Sequence, residues 1–164
     1  MALPQPQQPL PYCRPGTFLP ALILCAIIGL QSCKHDKKIY KSDCDDGISF
    51  KKVSFRQLMD SISRYDQRYV EVSGKYEEDK GLSALFTDTV ISARSYKNAL
   101  WVNFSQDCPL YLTGTRQGLF EYNDGQFTQL NDKLVTIRGK IDLRNKGSHN
   151  SYKATIDRIS LVKL

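Results

Sequence analysis

Apolar and polar residues alternate with a period of two in two long stretches of this chain. Tyr69-Val70-Glu71-Val72-Ser73-Gly74-Lys75-Tyr76 is echoed by Leu134-Val135-Thr136-Ile137-Arg138-Gly139-Lys140-Ile141, with a glycine at the same phase in each. Such alternation predicts half-buried strands whose even and odd residues face opposite sides of a sheet. Val70, Val72 and Tyr76, then Val135, Ile137, Ile141 and Leu143, are placed on one interior face. A glycine in mid-strand marks a bend or bulge, so Gly74 and Gly139 are read as corners. Shorter strand-like runs lie at residues 83–88 and 100–104, and residues 152–164 close the chain. In that last run Ala154 and Ile156 share one parity while Ile159 and Leu161 share the other, which predicts a bulge near Asp157 and Arg158.

Ahead of the strands the period changes to that of a helix. Phe55, Leu58, Met59 and Ile62 recur at helical spacing, with Arg56, Asp60, Ser63 and Arg64 on the other face. Ser54 is placed as N-cap, Gln57 three residues on completes a capping-box pattern, and Val53 with Leu58 forms a hydrophobic staple. The helix is short, and its apolar stripe is of the size that packs on a core rather than on a partner.

Five strands in this order, the first and fourth long and each bent at a glycine, resemble the OB-fold, a small Greek-key barrel. The resemblance covers residues 68–164. It implies a mainly β, five-stranded barrel with one N-terminal amphipathic helix; another small β-roll or sandwich is the alternative. Members of the family commonly carry a helix between the third and fourth strands. Here residues 105–132 contain Gly114, Gly118 and Asn123-Asp124-Gly125, which suit a hairpin or irregular excursion equally well. The resemblance also implies a ligand face across the second and third strands, between the loops that join strands one to two and four to five. On this chain that face holds Trp101 and Asn103, flanked by residues 77–81 and 144–151. Trp101 is the aromatic able to stack on a base or a sugar, and Arg144 and Lys146 the cations able to meet anionic groups. The plainer alternative has Trp101 packed on the sheet beneath the 105–132 excursion.

The first third of the chain has a different character. Residues 18–30 run thirteen positions without a charge, too few for a spanning helix, which needs about 20. They lead into Leu30-Gln31-Ser32-Cys33, which resembles the lipobox of bacterial lipoproteins through Leu30, Ser32 and Cys33. That resemblance implies cleavage before Cys33, diacylglycerol on its thiol, acylation of its amine, and anchoring in a membrane of the cell envelope. Lys34 stands next, where Asp favours inner-membrane retention in some envelopes, so the outer membrane is expected. The organisation that follows is a signal peptide over residues 1–32, the lipidated cysteine with a polar tether over 33–48, and the barrel over 49–164. Residues 34–47 carry almost no apolar side chain, which is the composition of a tether.

With the leader removed, Cys13 and Cys25 go and Cys33 is lipidated, leaving Cys44 and Cys108. An exported domain permits them to pair, the alternative being two separate buried thiols. Neither has metal-ligand spacing to another Cys or His, so no metal and no cofactor is expected. Charge adds little: 23 Lys plus Arg stand against 17 Asp plus Glu, and loss of Arg14 with the leader lowers the formal charge from +6 to +5. Acids and bases interleave, which suits a solvated surface better than a nucleic-acid site. Glu77-Glu78-Asp79 lacks the alternating ligands of a calcium loop and reads as a solvated turn.

His149 is the one histidine of the domain, in the polar turn Gly147-Ser148-His149-Asn150-Ser151. No Gly-x-Ser-x-Gly elbow, His-Glu-x-x-His pair or phosphate-cradling loop accompanies it. The expectation is therefore a non-catalytic envelope lipoprotein binding a protein or glycan partner. An exported oligosaccharide or nucleic-acid binder using Trp101 is the second reading, and a small hydrolase using His149 the third.

Overall fold

A computed structural model describes residues 37–44, 47–87, 95–120 and 129–164. The leader and Cys33 lie outside these. Among the described residues the strands are β1 (Ile39–Lys41), β2 (Lys51–Lys52), β3 (Tyr69–Asp79), β4 (Leu82–Phe86), β5 (Leu100–Val102), β6 (Tyr111–Leu112), β7 (Lys133–Asp142) and β8 (Ala154–Lys163), with one α-helix, α1 (Phe55–Asp60). Antiparallel pairing joins β3 to β4, β4 to β5, β8 to β7 and β7 back to β3, and a parallel pairing of β5 with β8 closes the ring. This is a closed five-strand barrel of OB-like kind, with the short strands β1, β2 and β6 added to its outer margins.

The two glycine-marked strands lie side by side, and the register sets each glycine opposite a valine: Val70 against Gly139, Gly74 against Val135. A β-carbon on Gly139 would sit 2.7 Å from the Asp157 carbonyl oxygen. One on Gly74 would strike the Phe86 carbonyl. The barrel can turn its corners only where no side chain stands between crossing strands. The bulge expected near Asp157 and Arg158 is present: Arg138 pairs with Leu161 and Lys140 with Asp157, which leaves extra residues on β8, and Arg158 takes a φ of 45°. Inside lie Val70, Val72, Tyr76, Val135, Ile137 and Ile141 as the alternation requires, with Leu143 partly buried against them. The Tyr76 hydroxyl is satisfied within this core by Ser83 Oγ at 3.0 Å, and Ser83 Oγ donates on to the Val102 carbonyl at 2.8 Å. Burial pushes the Tyr76 phenol well above its ordinary pKa.

The helix begins as its cap dictates, Ser54 Oγ accepting from the Gln57 N–H at 3.2 Å. Phe55 and Leu58 are buried with Val53 in the core, and after Asp60 the chain tightens into a 3-10 turn at Ile62–Tyr65.

One expectation differs from the fold. The stretch read as polar tether supplies β1, which pairs with the end of β8 (Tyr40 opposite Val162) and with β6. Tyr40 is the reason: it is 1% exposed, inside the core, and one buried tyrosine with two strand neighbours outweighs a polar composition. The compact unit that holds the barrel runs from Lys37 to Leu164. The described part of the 105–132 excursion is an irregular, hairpin-like loop around β6, one of the two alternatives expected, closed by the Leu112 N–H to the Gln117 carbonyl and the Leu119 N–H to the Leu110 carbonyl. Cys44 and Cys108 are joined in a disulfide, which ties the end of β1 to the start of that excursion.

Candidate ligand cleft

On the outer face of β4 and β5 a second apolar cluster stands apart from the barrel interior. Ala84 and Ala99, both fully buried, make a low floor, and Tyr152 packs on it with Leu82, Phe86 and Trp101 around. Small residues here let aromatic rings lie close to the sheet. The rings form a continuous row: Phe86 to Tyr96 at 6.3 Å between centroids, Tyr96 to Tyr152 at 5.4 Å, Tyr152 to Trp101 at 5.2 Å.

Beside this row opens a cleft of about 900 Å³, at the upper end of the range for small-ligand sites. Tyr96 and Tyr152 line it, Ile62 and Leu143 make an apolar wall, and Lys97, Lys146 and Lys153 stand at its rim. Tyr96 is brought there by the short 3-10 turn Tyr96–Asn98, held by the Ala99 N–H to the Tyr96 carbonyl. It remains 46% exposed. Tyr152 is fixed just before β8, where its N–H donates to the Lys146 carbonyl and the Lys153 N–H to that of Ala99. Burial, with Tyr96 next to it, pushes the Tyr152 phenol above its ordinary pKa, so it stays a neutral donor at physiological pH.

Of the four residues expected on the ligand face, Lys146 alone lines the cleft. Trp101 is half-buried, and the loop after β7 lies against it. Gly147 has φ 65° and ψ −157° and lies so close that a β-carbon on it would come within 2.5 Å of the indole. Asn103 is exposed beyond β5, its N–H bonded to the Ile156 carbonyl. Arg144 is turned back on its own loop, its Nε 3.5 Å from Asp142 Oδ1. The same carboxylate accepts the Arg144 backbone N–H at 2.9 Å, and that bond first, with the guanidinium, holds the Asp142 carboxyl below its usual range. His149 is exposed with φ 55°, its carbonyl accepting from Ser151 Oγ at 3.5 Å. Among the described residues no group of three His, Cys, Asp or Glu side chains gathers as metal ligands.

Tyr96, Lys97, Tyr152 and Lys153 were missed by reasoning from the chain alone. The dipeptide Tyr-Lys occurs three times, at 40–41, 96–97 and 152–153; the first lies within β1, and the other two each stand ahead of a strand. The parallel pairing of β5 with β8 brings the latter two to one place. No protein-family model, curated protein or solved structure matches this chain.

Proposed function

We propose that the protein is an envelope lipoprotein, anchored through lipid on Cys33, whose OB-like barrel is a non-catalytic binding module that takes a partner in the cleft beside Tyr96 and Tyr152. The one observation that carries the binding role is the placing of an exposed tyrosine, a second tyrosine and three lysines around an open apolar-walled cleft. Aromatic faces stack on the C–H faces of sugar rings, lysines pair with acidic substituents, and Ser95, Asn150 and Ser151 on the lining offer hydroxyl and amide partners. An acidic envelope glycan meets all three. The disulfide of Cys44 with Cys108 supports an oxidising compartment.

Titration of the purified protein with acidic oligosaccharides from the envelope, followed by backbone chemical shifts, tests the reading. Shifts are expected at Tyr96, Lys97, Tyr152 and Lys153, and Tyr96→Ala is expected to weaken binding on the order of tenfold, the scale of one lost stacking contact. Silence at these positions with every glycan overturns it. A response to single-stranded oligonucleotides alone moves the ligand to the nucleic-acid class.

A further inference from the structure

The strand register gathers basic residues on a surface far from the cleft. Lys52 pairs with Glu71, Glu71 with Arg138, Arg138 with Leu161, and Leu161 with Lys41, so these five stand in one row across β2, β3, β7, β8 and β1. In the next row on that side of the sheet, Ser73, Thr136, Lys163 and Ile39 follow one another. The alternate positions, Tyr40, Val72, Ile137 and Val162, point into the core, so both rows belong to the outer face. Three of its cations converge on one carboxylate: Arg138 Nε lies 2.5 Å from Glu71, and Lys52 and Lys163 each place Nζ at 3.7 Å. Lys41 is exposed, with Asp43 in the turn beyond it. Lys41, Lys52, Arg138 and Lys163 therefore outnumber Glu71 and Asp43, and exposed Lys37 and Lys38 lead into the same strand.

The chain joins the barrel at this surface. Ile39 sits opposite Lys163, and from Lys37 back to Cys33 there are four residue steps, a reach of at most ~14 Å. The cleft belongs to the other end of β8: Tyr152 and Lys153, which line it, stand just before Ala154, the first residue of the strand that ends at Lys163, at most roughly 30 Å along. An acyl anchor on Cys33 therefore brings the basic face to the bilayer and leaves the cleft at the far end.

We infer that the outer face of β1, β2, β7 and β8, with Lys41, Lys52, Arg138 and Lys163, is a membrane-contact surface that rests on anionic lipid headgroups and holds the aromatic cleft away from the bilayer. The inference rests on the proposed lipidation of Cys33. Its physical basis is the pairing of signals: lysine and arginine near an anionic surface each strengthen attachment on the order of fivefold, and beside a lipid anchor they fix orientation as well as affinity. Convergence on Glu71 keeps the cations in place while leaving the row net positive.

The test uses the purified full lipoprotein in phosphatidylcholine vesicles with and without phosphatidylglycerol. Its intact mass is measured first, then its lysines are acylated in a brief pulse and quantified by peptide mass spectrometry. Labelling of Lys41, Lys52 and Lys163 is expected to fall severalfold in the anionic vesicles and to recover at high salt, while Lys97, Lys146 and Lys153 label equally in both. Equal labelling of the first group in both vesicles, or protection of the cleft lysines instead, overturns the inference and leaves the anchor standing. An intact mass without acyl chains overturns the anchor, and this inference with it.

Discussion

At the scale of single residues, the positions that matter most are those where a side chain is forbidden. Gly147 occupies φ 65° and ψ −157°, a region open in practice to glycine alone, and its α-carbon lies directly on the Trp101 indole. Gly147→Ala therefore meets both a backbone penalty of about 1–3 kcal/mol and a collision with the ring. The expected outcome is a loop lifted from Trp101, seen as a red shift of tryptophan emission and a lower thermal midpoint. An unshifted emission maximum would show that Gly147 is not the cover. Gly74 and Gly139 belong to the same class but were legible in the sequence, because each interrupts an alternating run at the same phase. Gly147 was not, because its constraint comes from Trp101, 46 residues earlier, which only the pairing of β5 with β8 brings beneath it. Arg144 and Asn103 show the same limit. Their spacing is right for a ligand face, but Arg144 is captured by Asp142 and Asn103 lies outside the cleft lining.

At the scale of elements, Glu71 links four strands through three cations, with Arg138 also set over the Phe50 ring at 5.3 Å. Burial alone would push its carboxyl up; the hydrogen bond from Arg138 and the charges of Arg138, Lys163 and Lys52 outweigh that, and the pKa is lowered overall. A carboxyl lowered on folding contributes stability above its unfolded pKa and loses it as pH falls through the folded value. Glu71→Gln is accordingly expected to cost about 2 kcal/mol near neutrality, the order of a charge-assisted hydrogen bond. The cost shrinks below the ordinary glutamate range, and urea melts of both proteins across that acid range would reveal it; a gap independent of pH would assign the loss to packing. The elements themselves differ in how far the chain announced them. Long alternation announced β3 and β7, and the cap at Ser54 announced α1. A three-residue strand in a run of lysines and aspartates could not announce itself, since Tyr40 is its one large buried side chain and its value depends on the ends of β6 and β8 meeting it.

At the scale of the whole molecule, β1 is the first strand of the described chain and one of the short strands on the margins of the barrel. It lies outside the five-strand ring, paired with β8 along three residues and with β6 along two. The Cys44–Cys108 disulfide closes a loop of 64 residues that begins just after it. On the chain-entropy account a loop of that length stabilises by about 4 kcal/mol, by removing open conformations from the unfolded chain. On the proposed anchoring, a pull from Cys33 reaches β1 before it reaches the disulfide, and the bridge at Cys44, three residues past the strand, is where peeling from β8 would stop. Reduction, or the Cys44→Ser and Cys108→Ser pair, is expected to lower the thermal midpoint by on the order of 10 °C. Amide exchange should then rise at Tyr40 and Lys41 before it rises in β3 or β7. If both regions instead open together, β1 and the ring form one cooperative unit, and the bridge acts on the fold as a whole rather than on its attached strand.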